Sequence, residues 1–102
     1  MIIVFTTTPD LVIAELIADA LVEKRLAACV QILPPMTSVY MWKGEVQKEA
    51  EHLLLIKTLP NRWNDVRDAI KSMHPYEVPE IVAVKTEHAS VAYLDWLTES
   101  LG

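Results

Sequence analysis

The chain has 102 residues, of which 52% are hydrophobic, enough to bury one core without metals or cross-links. Its net charge is −5 and its nine basic residues are scattered from Lys24 to Lys85, which argues against nucleic acid as the main partner because that binding needs concentrated positive charge. The same charge is compatible with cations.

The apolar start, Met1 to Phe5, has no basic region before it and ends at Thr6 to Pro9. That is too short for a signal peptide or for a membrane helix of roughly 20 residues. The expectation is a single domain, residues 1–102, in the cytoplasm. One cysteine, Cys29, forms no internal disulfide and fits a reducing compartment.

Ile2 to Thr6, β-branched and aromatic without polar alternation, predicts a strand covered on both faces. Thr8 as N-cap and Pro9 at the first helical position predict a helix start, with Asp10 at the positive end of the dipole. Ala14, Ile17, Ala18 and Leu21 form its inward face. Ala27 to Leu33 returns to strand character, and Pro34-Pro35 predicts a bend or bulge before the ribbon resumes at Thr37 to Lys43. Lys43-Gly44 is the expected turn, and Val46 to Lys57 runs back, making residues 27–58 one long hairpin.

Pro60 and Asn61 mark a second helix with Trp63, Val66, Ile70 and Met73 inward. It must stop at His74, because Pro75 disfavours a helical residue before it. Ile81 to Thr86 reads as a strand, and Ser90 caps a short last helix. The order is β-α-β-β-α-β plus a helix, the split βαβ or ferredoxin-like α+β arrangement with both helices on one sheet face. Strands 2–6 and 53–56 are apolar on consecutive positions, so the second sheet face also needs cover. Copies of the same chain are expected to supply it, giving a closed homo-oligomer.

The densest chemistry lies in Met73 to Ile81, where two prolines fix a rigid, extended backbone carrying His74, Tyr76, Glu77 and Glu80. Imidazole and carboxylates suit copper or zinc, so His74, Glu77 and Glu80 are candidate ligands, with Cys29 as a further soft donor. Extended geometry sends Glu77 and Glu80 to opposite sides, so a complete site would borrow ligands from a neighbour. The bland alternatives are a His74 that packs at the helix end and a Cys29 that is a small buried hydrophobe. His52 and His88 read as exposed or locally hydrogen-bonded.

A second candidate set is a small-molecule cleft of Lys57, Tyr76, Glu80, Tyr93 and Trp96, against a Lys57–Glu80 ion pair at an interface. Trp42, Trp63 and Trp96 also suit packing anchors. There is no nucleophile elbow, no glycine-rich phosphate loop and no H-E-x-x-H pattern, so an enzyme is not expected.

Thr7-x-Pro9-Asp10, Leu26-Ala27-Ala28-Cys29, Tyr40-x-Trp42-x-Gly44, Lys57-Thr58, His74-Pro75-Tyr76-x-x-Pro79-Glu80 and Tyr93-x-x-Trp96-Leu97 together resemble the CutA family of divalent-cation tolerance proteins. The resemblance spans essentially the whole chain. It implies a ferredoxin-like subunit in a homotrimer joined through the long hairpins, and a role in tolerance of copper and other divalent cations. It also implies an architecture like the PII signalling proteins, which take small metabolites between subunits. Thr6 stands where some relatives carry cysteine, which weakens a thiolate copper site there.

Overall fold

A computed structural model describes residues 1–102. The elements are β1 (Ile2–Thr8), α1 (Leu11–Glu23), β2 (Cys29–Ile32), β3 (Met36–Trp42), β4 (Glu45–Thr58), α2 (Trp63–Met73, entered through a 3₁₀ turn at Pro60–Arg62), β5 (Val82–Lys85) and α3 (Val91–Ser100). The sheet order is β2-β4-β1-β5, with β3 also paired to β4, and every pairing is antiparallel. β1 and β2 therefore run parallel to each other across α1, and β4 and β5 run parallel across α2. These are two interleaved βαβ units.

The first helix starts later than Thr8 and Pro9 suggest. Thr8 is the last residue of β1, paired with His52, and its hydroxyl donates to the Asp10 carbonyl at 3.0 Å. Asp10 is the N-cap, accepting from the Ile13 N–H at 2.8 Å. The cap moved because the sheet claims Thr8, while Asp10 offers an equally good acceptor with a charge suited to the dipole. Pro9 stays in the connecting turn.

Ala14, Ile17, Ala18 and Leu21 are the buried residues of α1, as their spacing predicts. The helix closes with Arg25 at φ 56° and with Arg25 N–H to Val22 O and Leu26 N–H to Leu21 O bonds. This is a Schellman closure made without glycine. In α2, His74 follows at φ −82° and ψ 136°, the extended conformation that Pro75 enforces. Ser90 caps α3 by accepting from the Tyr93 N–H.

One sheet face and two helices make the core. Ile2, Val4, Leu54 and Ile56 meet Ile17 and Leu21 of α1 and Val66 and Ile70 of α2. Each such fully buried aliphatic side chain is worth about 1.5–3 kcal/mol over an exposed one. The cross-strand partners Ile3, Phe5, Leu55, Lys57, Val82 and Val84 share the opposite face. α3 reaches part of it, with the Lys57 Nζ 5.5 Å from the centre of the Tyr93 ring. The edge of that face stays open, as Val82 and Val84 are 52% and 45% exposed.

The hairpin holds the detail that shapes the site. In β2, Ile32 lies opposite Leu54; in β3, Met36 lies opposite Glu51. Three residues, Leu33 to Pro35, thus face two, His52 and Leu53, which is a one-residue bulge at the proline pair. It is bridged by Leu33 N–H to Leu53 O and by His52 Nδ1–H to Leu33 O, each 2.9 Å. Because side chains alternate with period two, one extra residue flips every later even-numbered side chain to the other face. Val30 and Ile32 pack against the core, whereas Ser38, Tyr40 and Trp42 share a face with Glu45, Gln47, Glu49 and Glu51. The arm ends in a two-residue turn with Lys43 at φ 50° and Gly44 at φ 81°, the double positive φ of a type I′ hairpin.

Candidate functional site

β1 pairs with β4 only as far as Thr8 and His52, so residues 45–51 of β4 project beyond it with β3 as a two-stranded arm. The segment 74–80, leaving α2 for β5, runs beside the base of that arm. Between them lies a cleft of about 610 Å³. Tyr40, Trp42, Glu49 and Glu51 line it from the arm, and Tyr76, Glu77, Val78 and Glu80 from the proline-fixed segment. Four carboxylates face this space, and none of the chain's lysines or arginines does.

His74 holds the segment in place. Its ring is buried, Nε2–H donates to the Thr7 carbonyl at 2.6 Å, and Nδ1 accepts from the Tyr76 N–H at 3.1 Å. Only one tautomer makes both bonds, and it leaves no nitrogen lone pair for a metal. The His74 ring also packs on Tyr76 with centroids 4.7 Å apart. Tyr76 in turn donates its hydroxyl to Glu51 Oε2 at 2.9 Å. A continuous chain of contacts thus runs from the end of β1 through His74 and Tyr76 to a carboxylate that is only 6% exposed.

The charge of the cleft is felt by its phenols. Burial, the hydrogen bond to Glu51, and the nearby carboxylates of Glu51 and Glu49 push the Tyr76 hydroxyl far above the usual tyrosine range. Tyr40 is also raised, by partial desolvation and by Glu49 and Glu51. Both therefore stay protonated donors.

The residues expected from the sequence divide between places. Glu77 and Glu80 line the cleft with Tyr76. His74 adjoins it as an anchor rather than a ligand, for the reason just given. Cys29 lies opposite Lys57 on β4, which pairs with Ile3, whereas His74 meets Thr7. Four residues of strand, roughly 13 Å, separate the two positions. No three His, Cys, Asp or Glu side chains converge into a metal cluster within the chain, so the set His74, Glu77, Glu80 and Cys29 is not assembled.

The second set also divides. Lys57 and Tyr93 meet each other, and Tyr93 stacks on Trp96 with centroids 5.6 Å apart, while Tyr76 and Glu80 belong to the cleft. Within one chain Lys57 makes no ion pair with Glu80, the salt bridges there being Arg67–Asp68 and His88–Glu87. His52 bonds locally and His88 is 91% exposed, as expected. Sequence reasoning passed over Glu49 and Glu51, although Glu45, Gln47, Glu49 and Glu51 form a period-two polar row visible in the chain. It treated Trp42 as packing, yet Trp42 forms a wall of the cleft.

A family model described as "CutA1 divalent ion tolerance protein" matches residues 2–100. The chain belongs to the CutA1 divalent ion tolerance family. Among CutA1 relatives, the divalent-cation tolerance protein CutA of Thermus thermophilus is 48% identical over 100 residues, covering 98% of this chain and 97% of that one. Protein CutA of Homo sapiens is 43% identical over 95 residues, and the match covers 93% of this chain but 53% of the human protein. This chain thus spans about half the length of that relative. The solved CutA1 structure from Thermus thermophilus superposes with a TM-score of 0.95 at full coverage of both chains and 48% identity. The structure named as the periplasmic divalent cation tolerance protein CutA of Archaeoglobus fulgidus gives 0.96 at 38% identity, again with full coverage of both. Plant CutA relatives are named chloroplastic, so CutA1 relatives are assigned to more than one compartment. The Thermus thermophilus and Archaeoglobus fulgidus relatives are named for divalent-cation tolerance.

Proposed function

We propose that the protein serves divalent-cation tolerance by binding the cation, copper first among those to test, at the acidic cleft between the hairpin arm and residues 76–80. The observation that carries this reading is the cleft's charge, four carboxylates without a lysine or arginine, in a family named for divalent ions. The carboxylates do not converge within one chain, so a neighbouring copy is the proposed source of the remaining ligands. The interleaved βαβ order supports a ferredoxin-like subunit, and the exposed valines of β5 and the projecting arm support self-association as a homotrimer. A PII-like site for an anionic metabolite is disfavoured by the same charge, because like charges in a cleft repel. The role is binding rather than catalysis, in the cytoplasm.

The test is calorimetric titration of metal-stripped protein with Cu²⁺ and Zn²⁺, with the mass followed by light scattering. Saturable heat is expected, weakened at least tenfold in a Glu77→Gln/Glu80→Gln variant, on a particle of three chains. Heat that is absent, or identical in the variant, overturns the site; a monomeric mass overturns its completion by a neighbour.

A further inference from the structure

His74 serves the fold twice, and only one of the two bonds tolerates a second proton on its ring. Nε2–H donates to the Thr7 carbonyl at 2.6 Å, and Nδ1 accepts from the Tyr76 N–H at 3.1 Å. The ring is buried and all of these atoms belong to one chain, so neighbouring copies are not needed to build the arrangement. Protonation leaves the Thr7 bond intact. A proton on Nδ1, however, turns the acceptor into a donor and sets two N–H groups against each other.

Little else holds the backbone that follows. Pro75 and Pro79 have no N–H, and among the N–H groups of residues 75–80 that of Tyr76 alone is hydrogen-bonded, to His74. The segment therefore depends on one imidazole acceptor and on the Tyr76 hydroxyl bond to Glu51. Imidazole is also the side chain whose charge ordinarily changes between about pH 5 and 8.

The surroundings give the charged ring somewhere to turn. β1 presents only the Thr7 carbonyl, and the nearest base along α2, Lys71, is exposed. β4 presents Glu51, bonded to the Tyr76 hydroxyl, and Glu49, while its His52 is engaged with the Leu33 carbonyl. The segment itself carries Tyr76, Glu77 and Glu80. Carboxylates without a lysine or arginine thus line the space beyond Tyr76, so an imidazolium leaving the Tyr76 N–H meets opposite charge.

We propose that His74 is a proton-operated latch: neutral, it fixes residues 75–80 beside the end of β1, and protonated on Nδ1 it releases the Tyr76 N–H and loosens that segment. The latch stands apart from the cation reading, because its release is expected of metal-free protein.

Amide hydrogen exchange of the metal-free protein, followed by NMR at about pH 7.5 and about pH 5 and corrected for the intrinsic effect of pH on exchange, is the test. His74→Asn is the comparison, because an Asn side-chain oxygen accepts from the N–H two residues on, as in an Asx turn, and does not titrate. The wild type is expected to lose at least tenfold of its Tyr76 amide protection at the lower pH while the β1 amides keep theirs. The ¹⁵N signals of the His74 ring are expected to pass from the Nε2–H tautomer to the doubly protonated ring over the same range, and His74→Asn to keep its Tyr76 protection throughout. Protection that holds in the wild type overturns the proposal, and so does a fall shared by the β1 amides, which is global unfolding. An equal fall in His74→Asn also overturns it, by assigning the release to the cleft carboxylates. Where His74→Asn does not fold, the wild type alone decides: protection lost without protonation of the ring, or a protonated ring without loss of protection, overturns the latch.

Discussion

Replacing His74 by alanine tests whether the segment 74–80 is held as described. The change orphans two backbone groups at once. The Thr7 carbonyl, now bonded at 2.6 Å in a buried setting, loses its only side-chain donor, a loss of about 1–3 kcal/mol for an unsatisfied buried acceptor. The Tyr76 N–H is only partly buried and can turn to water, so its share is the net value of a bond, about 0.5–1.5 kcal/mol. The ring contact with Tyr76 adds about 0.5–1.5 kcal/mol. Together these predict a loss of about 2–6 kcal/mol, a large part of the roughly 5–15 kcal/mol that stabilises a domain of this kind. Urea unfolding at fixed protein concentration measures it, because self-association would otherwise add a mass-action contribution. Gln can place its amide N–H near the position of Nε2, so His74→Gln is expected to recover part of the loss. A loss below about 1 kcal/mol, the floor set by one unsatisfied buried acceptor, or His74→Gln no better than His74→Ala, would refute the anchoring argument.

Two further outcomes follow from the geometry. Tyr76 holds its proton more tightly folded than unfolded, so its contribution is complete below about pH 10, the ordinary tyrosine value, and declines as pH rises above it. Tyr76→Phe should therefore flatten the alkaline fall of the urea midpoint above about pH 10, and parallel profiles for the two proteins would count against the Tyr76–Glu51 bond. Asp10→Ala removes the cap of α1 and is expected to cost about 0.5–2 kcal/mol by thermal unfolding, whereas moving the cap to Thr8 would leave Asp10→Ala nearly neutral.

Most of the element order was legible because its signals are local. Pro75 ends α2 through the conformation it imposes on His74, Ser90 caps α3, and Lys43-Gly44 turns the arm, each acting within a few residues. The cap of α1 was misread because local rules rank Thr8 and Asp10 alike, and the choice was made by β4, which pairs with Thr8. The role of His74 was beyond local reading for a similar reason. Its acceptor, the Thr7 carbonyl, lies 67 residues away in the chain and belongs to the backbone, so no side-chain motif marks it. The cleft residues of the arm needed one more datum, the register after Pro34-Pro35. The period-two row from Glu45 to Glu51 is plain in the sequence, but the face it occupies depends on a single unpaired residue upstream.

That single residue separates two design problems that a continuous hairpin would have to solve together. In an unbroken ribbon, the side-chain parity that buries Val30 and Ile32 against the helices would also govern the arm, and Tyr40 and Trp42 would be committed to the helix side. The proline pair resets the parity, so the base of the hairpin can be composed for packing and the arm for the wall of the cleft, without either constraining the other. An insertion or deletion of one residue at this point would keep the parity of Val30 and Ile32 while moving Tyr40 and Trp42 to the other face of the arm.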